Sequence, residues 1–317
     1  MSGRPYRNAN AFRVGIERSV KAAAAARGLP AERVRRELIL QRFLARIFVD
    51  PTNDWVLKGG TSLVVRSPSA RYSKDIDLFY AAADQELAGA VDDLRRLATR
   101  ALAGDLFTFV IGDPQRGGGQ DHDHVVATLK VTGYIGAAEY GGNFPIDLSL
   151  NQRAAEPVDW EQPRPVVELP GADPLPRFAL YPLPEQVADK LCAMYGRYRD
   201  MPSSRYRDLV DLTLIVTTHE LDAAQTLRAL RGEAGRRGIE LPDALTSPGP
   251  SWSHGYRGSA AETSLHPALQ ALDAALSLVG RCLGPLLAGA RTTGRWNPTQ
   301  LTWDDAAEHR LDGPPST

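Results

Sequence analysis

The hydrophobic pattern changes period at Asp54, and a chain that does this cannot fold as helices alone. Before that point Ala11 to Ala26 and Ala31 to Phe48 read as two helices, parted by Gly28 and Pro30; in the second, Val34, Leu38, Phe43, Leu44 and Ile47 recur near helical spacing. After it, Trp55-Val56-Leu57 is a short apolar run, broken by Gly59-Gly60 and followed by Thr61-Ser62-Leu63-Val64-Val65, which predicts a strand, a tight turn and a helix start. Asp75-Ile76-Asp77-Leu78-Phe79 alternates as a strand and leads into a helical stretch from Asp84 to Ala103. Phe107 to Ile111, Val125 to Tyr134 and Phe144 to Leu150 read as further strands, separated by loops such as Arg116-Gly117-Gly118-Gly119. Strands mixed with helices imply an α/β or α+β core with a mixed sheet.

At 317 residues the chain exceeds the usual size of one hydrophobic core, so two linked domains are expected. The proline-rich stretch 157–184 reads as a linker or a wrapping connection. Beyond it Pro184 to Tyr198, Tyr206 to Thr217, Leu221 to Arg231 and His266 to Leu287 read as helices, with a Gly/Pro/Ser loop from Pro242 to Gly258. The expected division is therefore N-terminal helices over 1–50 packing on a core at 51–160, then a mostly helical domain over 161–317.

The chain is 43% hydrophobic and 24% charged, which excludes wholesale disorder, collagen and coiled coil. Two cysteines, Cys192 and Cys282, cannot make a disulfide scaffold or complete a four-thiolate metal site, and they suit a reducing compartment. The opening residues do not resemble a signal peptide and no run is long and apolar enough to span a membrane, so the expected address is the cytoplasm. Residues 1–50 carry eleven Arg and Lys against four acidic residues, a charge a polyanion would meet and that solvated helix faces would also carry. Five of the 37 basic residues are lysine, and in so arginine-biased a chain a lysine points to a place needing a compact ammonium, which singles out Lys58, Lys74 and Lys190.

Asp75 and Asp77, two apart in an alternating strand, send both carboxylates to one face about 7 Å apart, with Ile76 and Leu78 turned to the core. Such a pair suits hard divalent cations that bridge to phosphate oxygens, although a solvated strand end carries the same pattern. Asp147 stands likewise among Phe144, Ile146, Leu148 and Leu150, and if its strand lies beside the first, three carboxylates converge. Gly59-Gly60-Thr61-Ser62 opens a helix after a strand, so its backbone N–H groups face an anion while the hydroxyls bond either phosphate or the helix itself. Lys190 sits on a helix ahead of Arg197, Arg199, Arg205 and Arg207; Asp208 and Asp211, three apart on one face, can hold Lys190 or an arginine, position a substrate hydroxyl, or form a salt-bridge ladder.

Gly59-Gly60-Thr61-Ser62, then Ser73-x-Asp75-x-Asp77, then Asp147 on a later strand, resembles the nucleotidyltransferase superfold related to polymerase beta. With Lys190 and the segment Arg207-Asp208-Leu209-Val210-Asp211-Leu212 added, the chain resembles the AbiEii/AbiGii toxins, including the MenT-type toxins of mycobacteria, over roughly Leu38 to Val216. The resemblance implies a toxin of a toxin–antitoxin pair that transfers a nucleotide from an NTP, with a two-metal Mg²⁺ site, to an RNA acceptor, a tRNA 3′ end being the acceptor of related toxins. It places Lys58, Gly59, Gly60, Thr61, Ser62 and Ser73 around the NTP and Asp75, Asp77 and Asp147 on metal. Lys190 and Asp208 fill the downstream catalytic positions, with Asp211 as the rival of Asp208 and with Arg207 and Lys74 nearby. A cognate antitoxin protein is the implied partner, and a monomer is the favoured state. Two other readings stay open: a phosphotransferase that moves the γ-phosphate, and a binding module that keeps the fold without activity. Ser73, two residues before Asp75, is also where phosphorylation would add charge beside the acidic pair.

Overall fold

A sheet that changes strand direction four times runs through the first half of the chain. In the computed structural model, residues 6–67, 71–82, 86–116, 125–150, 157–198 and 201–304 are described. They divide into two units, one holding the residues up to Pro182 except Arg71, the other holding Arg71 and the residues from Leu183 onward.

The first unit begins with α1 (Ala9–Arg27) and α2 (Ala31–Phe48), then β1 (Trp55–Lys58), α3 (Gly59–Arg66), β2 (Ile76–Tyr80) and α4 (Leu87–Ala98). β3 (Phe107–Ile111), β4 (Gln115–Arg116), β5 (Val125–Ile135), β6 (Ala138–Leu150), β7 (Asp159–Glu161) and β8 (Phe178–Leu180) complete it. The sheet order is β3-β5-β6-β2-β1-β8-β7, with β4 also on β5. The β6–β2 and β1–β8 pairs are parallel and the rest antiparallel.

One face of this sheet is core. Leu57, Ile76, Leu78, Leu129, Val131, Ile146 and Leu148 alternate onto it with no exposed surface, and α1, α2 and α4 cover it with Phe12, Ile16, Phe43 and Leu94. The Phe43 ring meets Phe109 and Phe144 edge-on at 5.3 and 5.5 Å, the geometry aromatic pairs favour. Deep under α2, Asp105 accepts from Arg42 Nε at 2.7 Å and Arg46 Nη1 at 2.9 Å, and Arg46 also donates to the Phe107 carbonyl at 2.6 Å. All three charges are thus buried, with both guanidinium groups directed at the one carboxylate, the condition under which buried charges are tolerated.

The second unit is built from α5 (Leu183–Tyr195), α6 (Tyr206–Thr218), α7 (Ala223–Arg237), α8 (Trp252–Ala261) and α9 (Leu272–Leu287). Short pairs accompany them: β9 (Arg197–Tyr198) with β10 (Met201–Pro202), and β11 (Leu221–Asp222) with β12 (Arg295–Asn297) and β13 (Thr302–Asp304). Asp222 caps α7 by accepting from the Gln225 N–H at 2.9 Å, and Gly238 closes it in the left-handed region. The Trp252 indole donates to the Ser203 carbonyl at 2.8 Å and the Trp296 indole to the Val216 carbonyl at 2.7 Å, so both rings are buried without an orphaned N–H.

Four expectations differ from what the chain does. The stretch 157–184 is not featureless, because β7 and β8 join the main sheet there. The helix expected from Asp84 to Ala103 ends at Ala98. The expected loop at Pro242 to Gly258 contains the start of α8, whose Trp252, Tyr256 and Ala260 recur every fourth residue and are fully buried; Gly255 and Gly258 lower helix propensity and disguise that period. Finally, the span from His266 divides into a 3₁₀ turn at Pro267–Gln270 and α9.

Candidate active site

The face of the sheet opposite the core carries a row of polar side chains across four strands. Lys58 on β1 pairs with Asp77 on β2, Asp77 with Asp147 on β6, and Asp147 with Thr128 on β5. Directly paired residues share a face with Cβ atoms about 5 Å apart, so the two carboxylates are neighbours. The Thr128 hydroxyl donates to Asp147 Oδ1 at 2.7 Å. Val56, Phe79 and Tyr181 form a small apolar cluster beside this row, and the Lys58 ammonium lies 4.5 Å from the centre of the Tyr181 ring, within cation–π range.

The strand-to-helix turn is fitted against Asp77. Gly59 has φ +63°, and a Cβ built there would stand 1.8 Å from Asp77 Oδ2, so a side chain at this position would strain the backbone and displace the carboxylate. Behind it the Thr61 hydroxyl donates to the Asp75 carbonyl at 2.7 Å and the buried Ser62 hydroxyl donates to the Gly59 carbonyl at 2.8 Å. Of the two uses open to these hydroxyls, both here bond backbone. Gly60 is buried in the first turn of that helix. The Ser73 hydroxyl is also buried and donates to Asp75 Oδ1 at 2.6 Å, so its oxygen is not displayed for modification. Lys74 is exposed.

Three converging carboxylates are not what the geometry shows: among the described residues no group of three or more His, Cys, Asp or Glu side chains is placed to hold a metal ion. Asp77 and Asp147 are paired neighbours, while Asp75 sits one residue ahead of β2 with its carboxylate tied to Ser73. Two adjacent carboxylates that a glycine leaves room for are hard oxygen donors, a set that fits a divalent cation.

In the second unit, Lys190 on α5 donates to Asp211 Oδ2 at 2.6 Å and reaches Asp208 Oδ1 at 3.3 Å, both on α6. Arg71 forks onto Asp211 at 2.8 and 3.1 Å, and Arg205 Nε donates to Asp208 Oδ2 at 2.6 Å. Burial alone would lower the Lys190 ammonium, but Asp211 and Asp208 outweigh it and hold the group above its ordinary range. Burial likewise pushes the Asp208 carboxyl up, and Lys190 with Arg205 overcomes this and holds it low. Of the alternatives the spacing of Asp208 and Asp211 left open, each carboxylate holds both Lys190 and an arginine, in a buried network and not a surface ladder. Arg207 is exposed and outside it; Arg199 lies outside the described residues. Arg205 is one of the arginines that the segment offered to these carboxylates, whereas Thr128, Tyr181 and Arg71 belong to these constellations without any sequence signal that marked them. Arg71 and Asp211 stand 140 positions apart, beyond any local pattern.

Comparison with known proteins places the chain in a family and a fold. The model of the family described as "Nucleotidyl transferase AbiEii toxin, Type IV TA system" matches residues 42–277, about three quarters of the chain. In fold the chain is similar to MenT4, the nucleotidyltransferase toxin Rv2826c of Mycobacterium tuberculosis H37Rv, with TM-score 0.54 and 20% identity over 84% of this chain and 89% of that one. A weaker likeness, TM-score 0.43 with 15% identity over 83% of this chain and 94% of the other, is to JHP933 from Helicobacter pylori. No curated protein matches the sequence. With Asp77, Asp147 and the Gly59 turn falling inside the matched span, the chain belongs to the AbiEii nucleotidyltransferase toxin family of type IV toxin–antitoxin systems.

Proposed function

We propose that this toxin transfers a nucleotide from an NTP to the 3′-hydroxyl of an RNA, a tRNA 3′ end being the acceptor, with Mg²⁺ as cofactor, and so blocks translation. The observation that carries the reading is the in-register pair Asp77 and Asp147, set against a turn where a side chain at Gly59 would displace the Asp77 carboxylate. In the reaction the acceptor oxygen forms a bond to the α-phosphorus, the bond from that phosphorus to the α–β bridging oxygen breaks, and pyrophosphate leaves. Divalent cations bound by Asp77 and Asp147, with Asp75 beside them, would supply charge neutralisation for the triphosphate and a lowered pKa for the acceptor hydroxyl. Asp147, whose Oδ1 takes the Thr128 hydroxyl, accepts the acceptor proton at Oδ2. The backbone N–H groups at the start of α3 orient the triphosphate, and Lys58 adds a cation next to Asp77 in the row.

Lys190 and Asp208 enter this reading as the downstream positions that the family resemblance implies. The α6 carboxylates hold the Lys190 ammonium in its charged form. A cognate antitoxin accompanies the toxin, and a cytoplasmic monomer is the working state we propose; among the described residues no helix is long and apolar enough to cross a membrane.

The test is to incubate the protein with total RNA and each NTP labelled at either the α- or the γ-phosphate. Label from the α position in RNA, with release of pyrophosphate, is the expected result. Transfer of γ-label to RNA, protein or small molecule would replace the reading with a phosphotransferase.

A further inference from the structure

The carboxylate face does not stop at Thr128. Along β5, Lys130, Thr132 and Tyr134 alternate onto the same face, and on the neighbouring β3 Val110 pairs with Thr132 and Thr108 with Tyr134. Their intervening neighbours Leu129, Val131, Ile135, Phe107, Phe109 and Ile111 are all core. Thr108 and Val110 on β3 are exposed, Val110 to 58%, between buried neighbours, and on β5 Lys130 is exposed while Thr128, Thr132 and Tyr134 are half-buried. An open half-sheet therefore begins one rung from Asp147 and belongs wholly to the first unit.

We propose that this open half-sheet seats the acceptor RNA strand, with Lys130 binding the phosphate of the nucleotide whose 3′-hydroxyl reacts; the inference rests on the nucleotidyl-transfer reading above. Lys130 pairs with Pro145, the rung next to Thr128 and Asp147, and one rung is about 7 Å along the strand. The terminal nucleotide carries its own phosphate one sugar away from its reacting hydroxyl, so a flexible four-carbon stem one rung from the carboxylates brings an ammonium to that phosphate. An anionic strand led to a pair of carboxylates needs such a cation. Among the described residues Lys130 has no ion-pair partner, and its rung neighbours Pro145 and Gly112 offer no carboxylate. In a chain with five lysines among 37 basic residues, this one stands where a compact, mobile charge serves and a fork of donors would not. Further along, the Thr132 hydroxyl and the Tyr134 ring offer a donor and a stacking surface for bases, with Glu139 opposite Tyr134 as the acidic member of the track.

The experiment compares wild type, Lys130→Met and Lys21→Met, the last on α1 and off this face. The probe is a 5′-fluorescein single-stranded RNA oligonucleotide with a free 3′-hydroxyl, titrated over a range of salt and also used as acceptor with α-labelled NTP. Loss of one phosphate contact predicts about 5- to 10-fold weaker RNA binding by Lys130→Met at low salt and a slope of log K against log salt shallower by about 0.7. The KM for NTP and the kcat at saturating RNA stay at wild-type values, and Lys21→Met behaves as wild type. Unchanged RNA affinity and slope, the same loss in Lys21→Met, or an effect confined to the KM for NTP would each overturn the inference. Absence of α-label transfer by the wild type itself would overturn the functional reading, and this inference with it; transfer by wild type with an indifferent Lys130→Met overturns this inference alone.

Discussion

Gly59 and Asp77 are in such close contact that a single added methyl at the glycine would overlap the carboxylate oxygen, at 1.8 Å. A side chain added at the turn would therefore have to displace the carboxylate on the neighbouring strand.

Gly59→Ala follows directly. The left-handed backbone alone costs an alanine about 1–2 kcal/mol, and the overlap with Asp77 adds to it. A fall in thermal midpoint together with loss of at least about 100-fold in nucleotide transfer is the expected result, the latter because displacing Asp77, the proposed metal ligand, would disable positioning. Full activity in Gly59→Ala would show that Asp77 does not need its place.

Asp77→Asn and Asp147→Asn separate charge from shape. Each should abolish transfer while leaving the thermal midpoint of the metal-free protein unchanged or raised, because two paired carboxylates repel when nothing lies between them. Thr128→Val removes one neutral-to-charged hydrogen bond to Asp147 and should cost about 1.5–3 kcal/mol at most, read as a smaller drop in turnover than either asparagine variant.

Lys190→Met should lower stability as well as activity. It strips a cation from two buried carboxylates, a change that costs about 3–5 kcal/mol when one partner of a buried pair is lost. Arg71 and Arg205 remain on Asp211 and Asp208, so the lower end of that range is expected in denaturant unfolding. Lys190→Met that unfolds like wild type would remove the network from any account of the fold.

The same network sets a pH window. Asp208 is held below its ordinary value of 3.8 in the folded state, so its contribution is present above that pH and disappears as the pH falls through the lower folded value. Lys190 is held above its ordinary value of 10.5, so its contribution is complete below that pH and disappears as the pH rises through the higher folded value. Denaturant midpoints should be flat across neutrality and fall at both extremes; in Asp208→Asn the acid-side fall should shrink.

Much of this was readable in the sequence because it is local. The alternation of Asp75 to Phe79 and of Phe144 to Leu150 foretold which side chains leave the core, and the structure pairs those strands in register at Asp77 and Asp147. Spacing likewise foretold that Asp208 and Asp211 would share a helix face, but left open whether Lys190, an arginine or a substrate hydroxyl would meet them; Lys190 and arginines do. What stayed hidden depends on distant partners or disguised periods. Arg71 meets Asp211 only after folding, Thr128 acquires its role from the strand beside it, and the period of α8 is masked by its glycines. Ser62 and Thr61 were ambiguous because a hydroxyl at a helix start serves ligand and backbone equally well; backbone took both.

Because β2 and β6 run parallel, the chain between them must leave one end of the sheet and return to the other, and here that return is made by α4, β3, β4 and β5. The two carboxylates consequently do not meet until residue 147 has been synthesised and inserted, with the intervening strands already in place. Contacts so far apart in sequence form late in folding, and a slip of one residue in β6 would turn Asp147 to the wrong side. A ribosome making this chain thus releases most of the first unit before the two carboxylates can stand side by side.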